Sequence, residues 1–343
     1  MSVKTYLVDL KKEQQAGNFS LFSAFLLHQM EQAIARGEQT ILFLNKRGHS
    51  STLICTSCGS VKMCKHCDIA LTHHRHPATG EEFLLCHFCG TKFPVELTCE
   101  SCGKDLKFIG WGTQKVEYEL RAHFPKARIA RMDLDTTRAK HSHEELYNMM
   151  KDGKIDILLG TQVLAKGLDL PNVTLVGILQ ADTGLHIPDF RASERIFQLL
   201  TQVMGRASRR GQEGAVVIQS FNPENPVIQL ASRKDYMEFY EYMIQERNIY
   251  QYPPFTQIIK CIYVHKDRIK AYTEAKKMFD FIEKDMKEKK IDGEVFIAPS
   301  YITKQYDKFH YHILLKGKMV HEYITNIVFP SGWRIDVDPV NTA

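Results

Sequence analysis

Four Cys-x-x-Cys pairs, Cys55/Cys58, Cys64/Cys67, Cys86/Cys89 and Cys99/Cys102, crowd one stretch of this 343-residue chain. No other feature constrains the fold as strongly. A Cys-x-x-Cys turn directs two thiolates at one metal ion, and two such turns complete a tetrahedral S₄ site, so eight sulfurs make two zinc centres. A redox dithiol needs one pair beside a strand, not four in a loop. Spacing divides the ligands. Eighteen residues separate Cys67 from Cys86, within the ~15–20 of a zinc ribbon. Cys64, Cys67, Cys86 and Cys89 therefore form an inner site, and Cys55, Cys58, Cys99 and Cys102 are left to close an outer one. The ninth cysteine, Cys261, falls in an expected strand and reads as a core residue.

The cysteine module interrupts an alternating pattern. Before it come a strand over Val3–Leu10, a helix from a cap at Asn18 or Ser20 to about Arg36, and a strand over Thr40–Leu44. After it come a helix over Thr113–Phe124, a strand over Arg128–Met132 and a helix over His143–Lys151 behind a Ser142/Glu145 capping box. Two apolar strands follow, Ile155–Leu159 and Val173–Leu179, then a helix from Ala192 to Arg210 stopped by Gly211, and a strand over Ala215–Gln219. Alternation at this spacing implies a parallel sheet covered on both faces. Past the prolines of Gln251–Phe255 the rhythm becomes β-α-β-β-α-β, a split βαβ pattern. The fold class is thus α/β, carrying an inserted two-zinc module and ending in a small α+β domain. The segments expected are 1–45, 46–110, 111–225 and 226–343.

Composition adds bounds. Lys and Arg number 45 against 40 Asp and Glu, a net charge of +5 that permits nucleic-acid binding without requiring it. No apolar run is long enough to span a membrane, and the first residues lack a signal-peptide core. A cytoplasmic protein is expected, with no membrane partner.

Chemistry concentrates between Ile155 and Arg210. The loop from Gly160 to Asn172 holds Thr161, Gln162, Lys166, Gly167 and Asp169 between two buried strands, where α/β sheets place ligands. On the helix that follows, Gln202, Arg206 and Arg209 are spaced i, i+4 and i+7 and so share a face, suited to gripping a phosphate bidentately. Basic residues in a last turn also offset the helix dipole. Their combination points further: GTQVLAKGLDLP followed by QVMGRASRR resembles motifs V and VI of superfamily 2 helicases. The intervening ADTGLHIPDFRASERIFQLLTQV resembles the PriA family of primosomal replication-restart helicases. LNKRGHS resembles that family's motif IV, with Lys46 where Arg is usual, and Ser208 stands where Gly is usual. HILLKG and DVDPVN resemble pieces of its C-terminal domain, and the nested cysteine pairs match its zinc module.

The resemblance implies a RecA-like second lobe in which Arg206 and Arg209 reach the ATP γ-phosphate. Gly167, Asp169 and Gln202 would stand on the nucleotide side, and Arg47, Thr161 and Gln162 on the DNA side. It implies two Zn²⁺, with ATP and Mg²⁺ in the complete enzyme. Partners would be forked and single-stranded DNA, primosome proteins, single-stranded DNA-binding protein and the replicative helicase loader. The activity implied is 3′–5′ unwinding and primosome assembly at stalled forks. No Gly-x-x-x-x-Gly-Lys-Ser/Thr and no DExH box precede the insertion, and phosphoryl transfer here needs both. The chain therefore reads as the C-terminal half of such a helicase, inactive alone. The rival reading is a non-catalytic zinc-bearing adaptor for DNA or the primosome.

Overall fold

The computed structural model describes residues 3–44, 51–55, 57–65, 70–75, 82–86, 91–109, 113–132, 140–161, 170, 172–185, 187, 189–207, 213–305 and 308–342. Arg47, Cys67, Cys89, Gln162, Gly167, Asp169 and Arg209 lie outside the described residues. In chain order the elements are β1 (Val3–Asp9), α1 (Leu10–Gln15), α2 (Ala24–Ala35), β2 (Gln39–Phe43), β3 (Ser51–Cys55), β4 (Thr72–Arg75), β5 (Glu82–Leu85), β6 (Lys92–Phe93) and β7 (Leu106–Ile109). Next come α3 (Thr113–His123), β8 (Ile129–Met132), α4 (Lys140–Lys151), β9 (Ile157–Gly160), β10 (Val173–Ile178), α5 (Ala192–Met204), β11 (Gly214–Ser220), α6 (Pro226–Arg233) and α7 (Tyr236–Ile249). The chain closes with β12 (Gln257–His265), α8 (Arg268–Glu288), β13 (Gly293–Gln305), β14 (Lys308–Gly317), α9 (Val320–Thr325) and β15 (Trp333–Val337).

Contacts group these elements into two compact units. One comprises Met1–Lys62, Glu96–His186 and Ser193–Phe239; the other comprises Met63–Val95, Ile187–Ala192 and Tyr240–Ala343. The grouping cuts across the sequence segments, because the cysteine insertion is shared and α6 packs on β1.

In the first unit six strands pair in the order β1-β11-β10-β2-β9-β8, every pairing parallel. All six residues of β10, VTLVGI, are buried, as a strand covered on both faces must be. Gly177 is required there: a Cβ would stand 2.6 Å from a Leu42 methyl and 3.0 Å from one of Leu26 on α2. Three helix boundaries differ from the sequence reading. The cap of α2 is Ser23, whose side chain accepts from the Leu26 amide at 3.1 Å; Asn18 and Ser20 instead order the loop before it. α4 begins at Lys140, three residues ahead of the expected His143, so Ser142 lies within the helix rather than at its start. α5 ends at Met204, not Arg210.

In the second unit the strands run antiparallel in the order β13-β14-β12-β15, the arrangement a split βαβ pattern requires. α8 lays Ala271, Ala275, Met278, Ile282 and Met286, three or four residues apart, into its core. β13 runs to Gln305, its pairing with β14 interrupted between Pro299 and Lys304 and then resumed. Among the described residues no helix is long and apolar enough to cross a membrane.

Candidate functional site

The outer cysteines are assembled by two turns of one design. Cys55 ends β3, and its amide donates to Ser60 O at 2.7 Å while Gly59 N donates back to Cys55 O at 2.9 Å. Cys99 repeats this with Lys104 O at 2.7 Å and Gly103 N at 2.9 Å. Gly59 and Gly103 sit at φ +75° and +71°, a left-handed conformation that costs other residues strain. The residue before each first cysteine pairs with the residue six beyond that cysteine: Ile54 with Val61 and Thr98 with Asp105. The inner turns share the register, in Met63 with Ala70 and Leu85 with Lys92. The Cys86 amide also reaches Thr91 O at 3.0 Å, the same bond again.

The Sγ atoms of Cys55, Cys58, Cys99 and Cys102 all lie within 4.8 Å of one another. Cys55 and Cys102 are 3.5 Å apart and Cys58 and Cys99 3.7 Å. A zinc tetrahedron with bonds of ~2.3 Å has sulfur–sulfur edges of about 3.8 Å, whereas a disulfide needs ~2.05 Å. The donor set therefore fits a zinc ion. The electrostatics agree. Burial raises the Cys99 thiol, yet the backbone amides of Ser101 and Cys102 outweigh burial and bring it down to about 6. The Lys104 amide works to lower Cys102, but the neighbouring sulfurs and burial push it up to about 12. One sulfur ionises readily and its neighbour resists, so four thiolates together call for a cation between them.

Lys62 braces this centre and carries no sequence signal. Its ammonium, 6% exposed, donates to Glu96 at 2.9 Å and Glu100 at 2.8 Å. Burial opposes its charge, and the two carboxylates outweigh burial and hold it above the ordinary lysine value. Of the cysteines expected at the inner site, Cys64 and Cys86 are described and both are buried.

The other expected site residues that the structure describes, Thr161, Gln202 and Arg206, hang from the parallel sheet. Thr161 follows β9 directly; it is buried, and its amide donates to Met132 O at 3.4 Å. α5 buries Ile196, Phe197, Leu200, Val203 and Met204 along one stripe, and Phe197 stacks on Phe239 at 3.9 Å. Gln202 is exposed in its last turn. Beyond Gly205 the backbone tightens: Arg206 N donates to Val203 O and Ala207 N to Met204 O, both three residues back. This turn sinks Ala207 into the core and leaves Arg206 half-buried. Gln202 thus lies in the last turn of α5, and Arg206 lies two residues past the helix end.

Comparison with known proteins bears on this arrangement. The model of the helicase conserved C-terminal domain matches residues 99–211. The chain is 46% identical over 314 residues to replication restart protein PriA of Bacillus subtilis, covering 91% of this chain and 38% of that protein. It is 39% identical over 352 residues to PriA of Chlamydia trachomatis, covering 99% of this chain and 46% of that protein. The chain thus spans less than half the length of these relatives. Among solved structures, RecG bound to a three-way DNA junction is similar at a TM-score of 0.38 and 14% identity, covering 72% of this chain and 22% of that chain.

Proposed function

We propose a function from one premise, that the chain belongs to the PriA family of replication restart proteins. In this reading the parallel sheet is the second lobe of an ATP-dependent 3′–5′ DNA helicase that acts at stalled forks, in the cytoplasm, and assembles the primosome there. The lobe supplies the arginine side of the nucleotide site. Arg206 and Arg209 are guanidinium groups for the γ-phosphate, with Gln202, Gly167 and Asp169 beside them. Arg47, Thr161 and Gln162 face single-stranded DNA. The cysteine module holds two zinc ions, Cys55, Cys58, Cys99 and Cys102 around one and Cys64, Cys67, Cys86 and Cys89 around the other. The shared turn register in all four pairs favours a second centre built like the first. Forked DNA, single-stranded DNA-binding protein, the other primosome proteins and the helicase loader are the partners proposed.

The observation that carries the reading is sequence identity of 46% across 91% of the chain, with the helicase domain match spanning Thr161, Gln202, Arg206 and Arg209. Hydrolysis also needs a phosphate-cradling loop, its lysine and an acidic Mg²⁺ ligand. The 343 residues contain no Gly-x-x-x-x-Gly-Lys-Ser/Thr. Residues 1–343 alone should therefore show no ATPase above background, and joining them to a lobe that carries such a loop should give DNA-stimulated hydrolysis. Robust turnover by residues 1–343 alone, or a joined protein indifferent to DNA, overturns the reading.

A further inference from the structure

A crevice opens at the carboxyl ends of three adjacent parallel strands of the first unit, away from Thr161 in sequence and outside every motif discussed above. It has about 250 Å³ of free volume, and its walls include Gln14 and Phe19 beyond β1, Gln180 beyond β10, Phe221 beyond β11, and Lys107 and Phe108 on β7. Carboxyl ends of parallel strands are where open α/β sheets bind ligands. A good site pairs apolar walls with a few polar groups, and this lining has both.

Three rings, two carboxamides and one cation describe a particular guest. Phe19 is 54% exposed, although the Lys107 ammonium sits 3.9 Å from its centroid. The ammonium lies over the ring, and the exposure that remains leaves ring surface for a base to stack on. Gln180 is 7% exposed. Gln14 keeps its Oε1 buried with no hydrogen-bond partner among the described residues, an acceptor that gains from a ligand's N–H. Carboxamides are the side chains that match the donor and acceptor pairs on base edges. Aromatic rings stack on bases of any sequence. No carboxylate lines the crevice directly among the described residues; Glu119 and Asp182 stand behind its wall, against Ser20 Oγ at 3.5 Å and the Phe221 amide at 2.8 Å, so Lys107 is the one charged group of the lining.

The walls are already set. Asn18 donates to Glu13 at 2.6 Å and to Phe22 O at 3.0 Å, fixing the loop that carries Phe19. Asp182 accepts from Ser220 Oγ at 2.6 Å and from the Phe221 amide at 2.8 Å, fixing the Phe221 wall. Gln219, fully buried, ties Ser23 N, Leu21 O and Leu179 O together beneath the floor. A guest thus meets a preformed shape and orders little on entry.

We propose that this crevice binds one unpaired nucleotide of a single DNA strand, its base against Phe19, Gln14 and Gln180 and its phosphate at Lys107. This rests on the reading that the chain engages single-stranded DNA. The test uses the zinc-loaded chain with two fluorescein-labelled single strands of equal length, one complete and one abasic through its centre. The complete strand should bind about tenfold more tightly, the gain expected of one stacked base. Phe19→Ala, at an exposed ring that can be removed without unfolding, should erase that preference while the abasic strand binds as before. Gln14→Leu should reduce it. Lys107→Ala should weaken both strands and lower the slope of log K against log salt by about one. Titration with dAMP separates the sources: dAMP binding that Phe19→Ala abolishes, with no preference between strands, assigns the crevice to a free nucleotide instead. Equal binding of the two strands without dAMP binding overturns the proposal and leaves the helicase reading standing. Failure to bind either strand fails both.

Discussion

Arg206 shows how far one residue can be read from sequence. Its spacing from Gln202 and Arg209 and its place in QVMGRASRR mark it, because a guanidinium can grip a phosphate bidentately. Its conformation was not legible. The run Arg-Ala-Ser-Arg-Arg has good helix formers, yet α5 ends at Met204 and the amides of Arg206 and Ala207 bond three residues back, with Ala207 at 2% exposure. Function now separates two accounts of the arginines in the joined, ATP-hydrolysing protein. As γ-phosphate ligands, Arg206→Ala and Arg209→Ala should each lower kcat on the order of 10³-fold while zinc content and DNA binding persist. Lysine should not rescue, since an ammonium cannot make the bidentate fork. A near-normal kcat in either variant returns that arginine to the role of a helix-end charge, which is worth only about 0.3–1 kcal/mol of stability. The crevice residues were beyond sequence reading altogether. Gln14, Phe19 and Lys107 belong to no motif, and sheet order alone brings them together.

At the scale of elements, the cysteine turns were the most legible part of the chain, because their chemistry needs only the two-residue spacing within each pair. Their common hairpin register was hidden in the backbone. If the centres are independent, Cys64→Ser should reduce zinc from two ions per chain to one, with Cys55, Cys58, Cys99 and Cys102 still loaded; elemental analysis with thiol titration reads this directly. Loss of both ions would show the turns to be cooperative. Helix starts were less legible. Asn18, Ser20 and Ser23 are all competent caps by type, and the choice of Ser23 depends on Gln219, whose carboxamide oxygen receives the Ser23 amide at 2.8 Å from 196 residues away. No local window contains that bond.

At the scale of the whole molecule, β/α alternation disclosed a parallel sheet and the C-terminal rhythm disclosed the split βαβ unit, but strand order had to come from packing. Packing also creates a pH dependence. His312 on β14 is 4% exposed, and burial, joined by the Lys260 charge, pushes its imidazole from 6.5 down to about 3. The unfolded chain then binds a proton that the folded chain refuses, so stability is complete above about pH 6.5 and falls as pH drops toward 3. Between pH 6.5 and 5.5 the loss from this group should be about 1 kcal/mol. Denaturant melts of the wild type and His312→Leu across that interval measure it; equal slopes with pH would acquit the histidine.

The polypeptide passes from one compact unit to the other five times, at 62/63, 95/96, 186/187, 192/193 and 239/240. Neither unit is therefore a continuous piece of chain, and no single cleavage can liberate one intact. A protease that nicks the chain once between Arg75 and Glu82 should leave two fragments that each carry part of both units. The fragments should co-elute at the native size on gel filtration and separate only in denaturant. Fragments that part under native conditions would mean that the interlacing does not hold the molecule together.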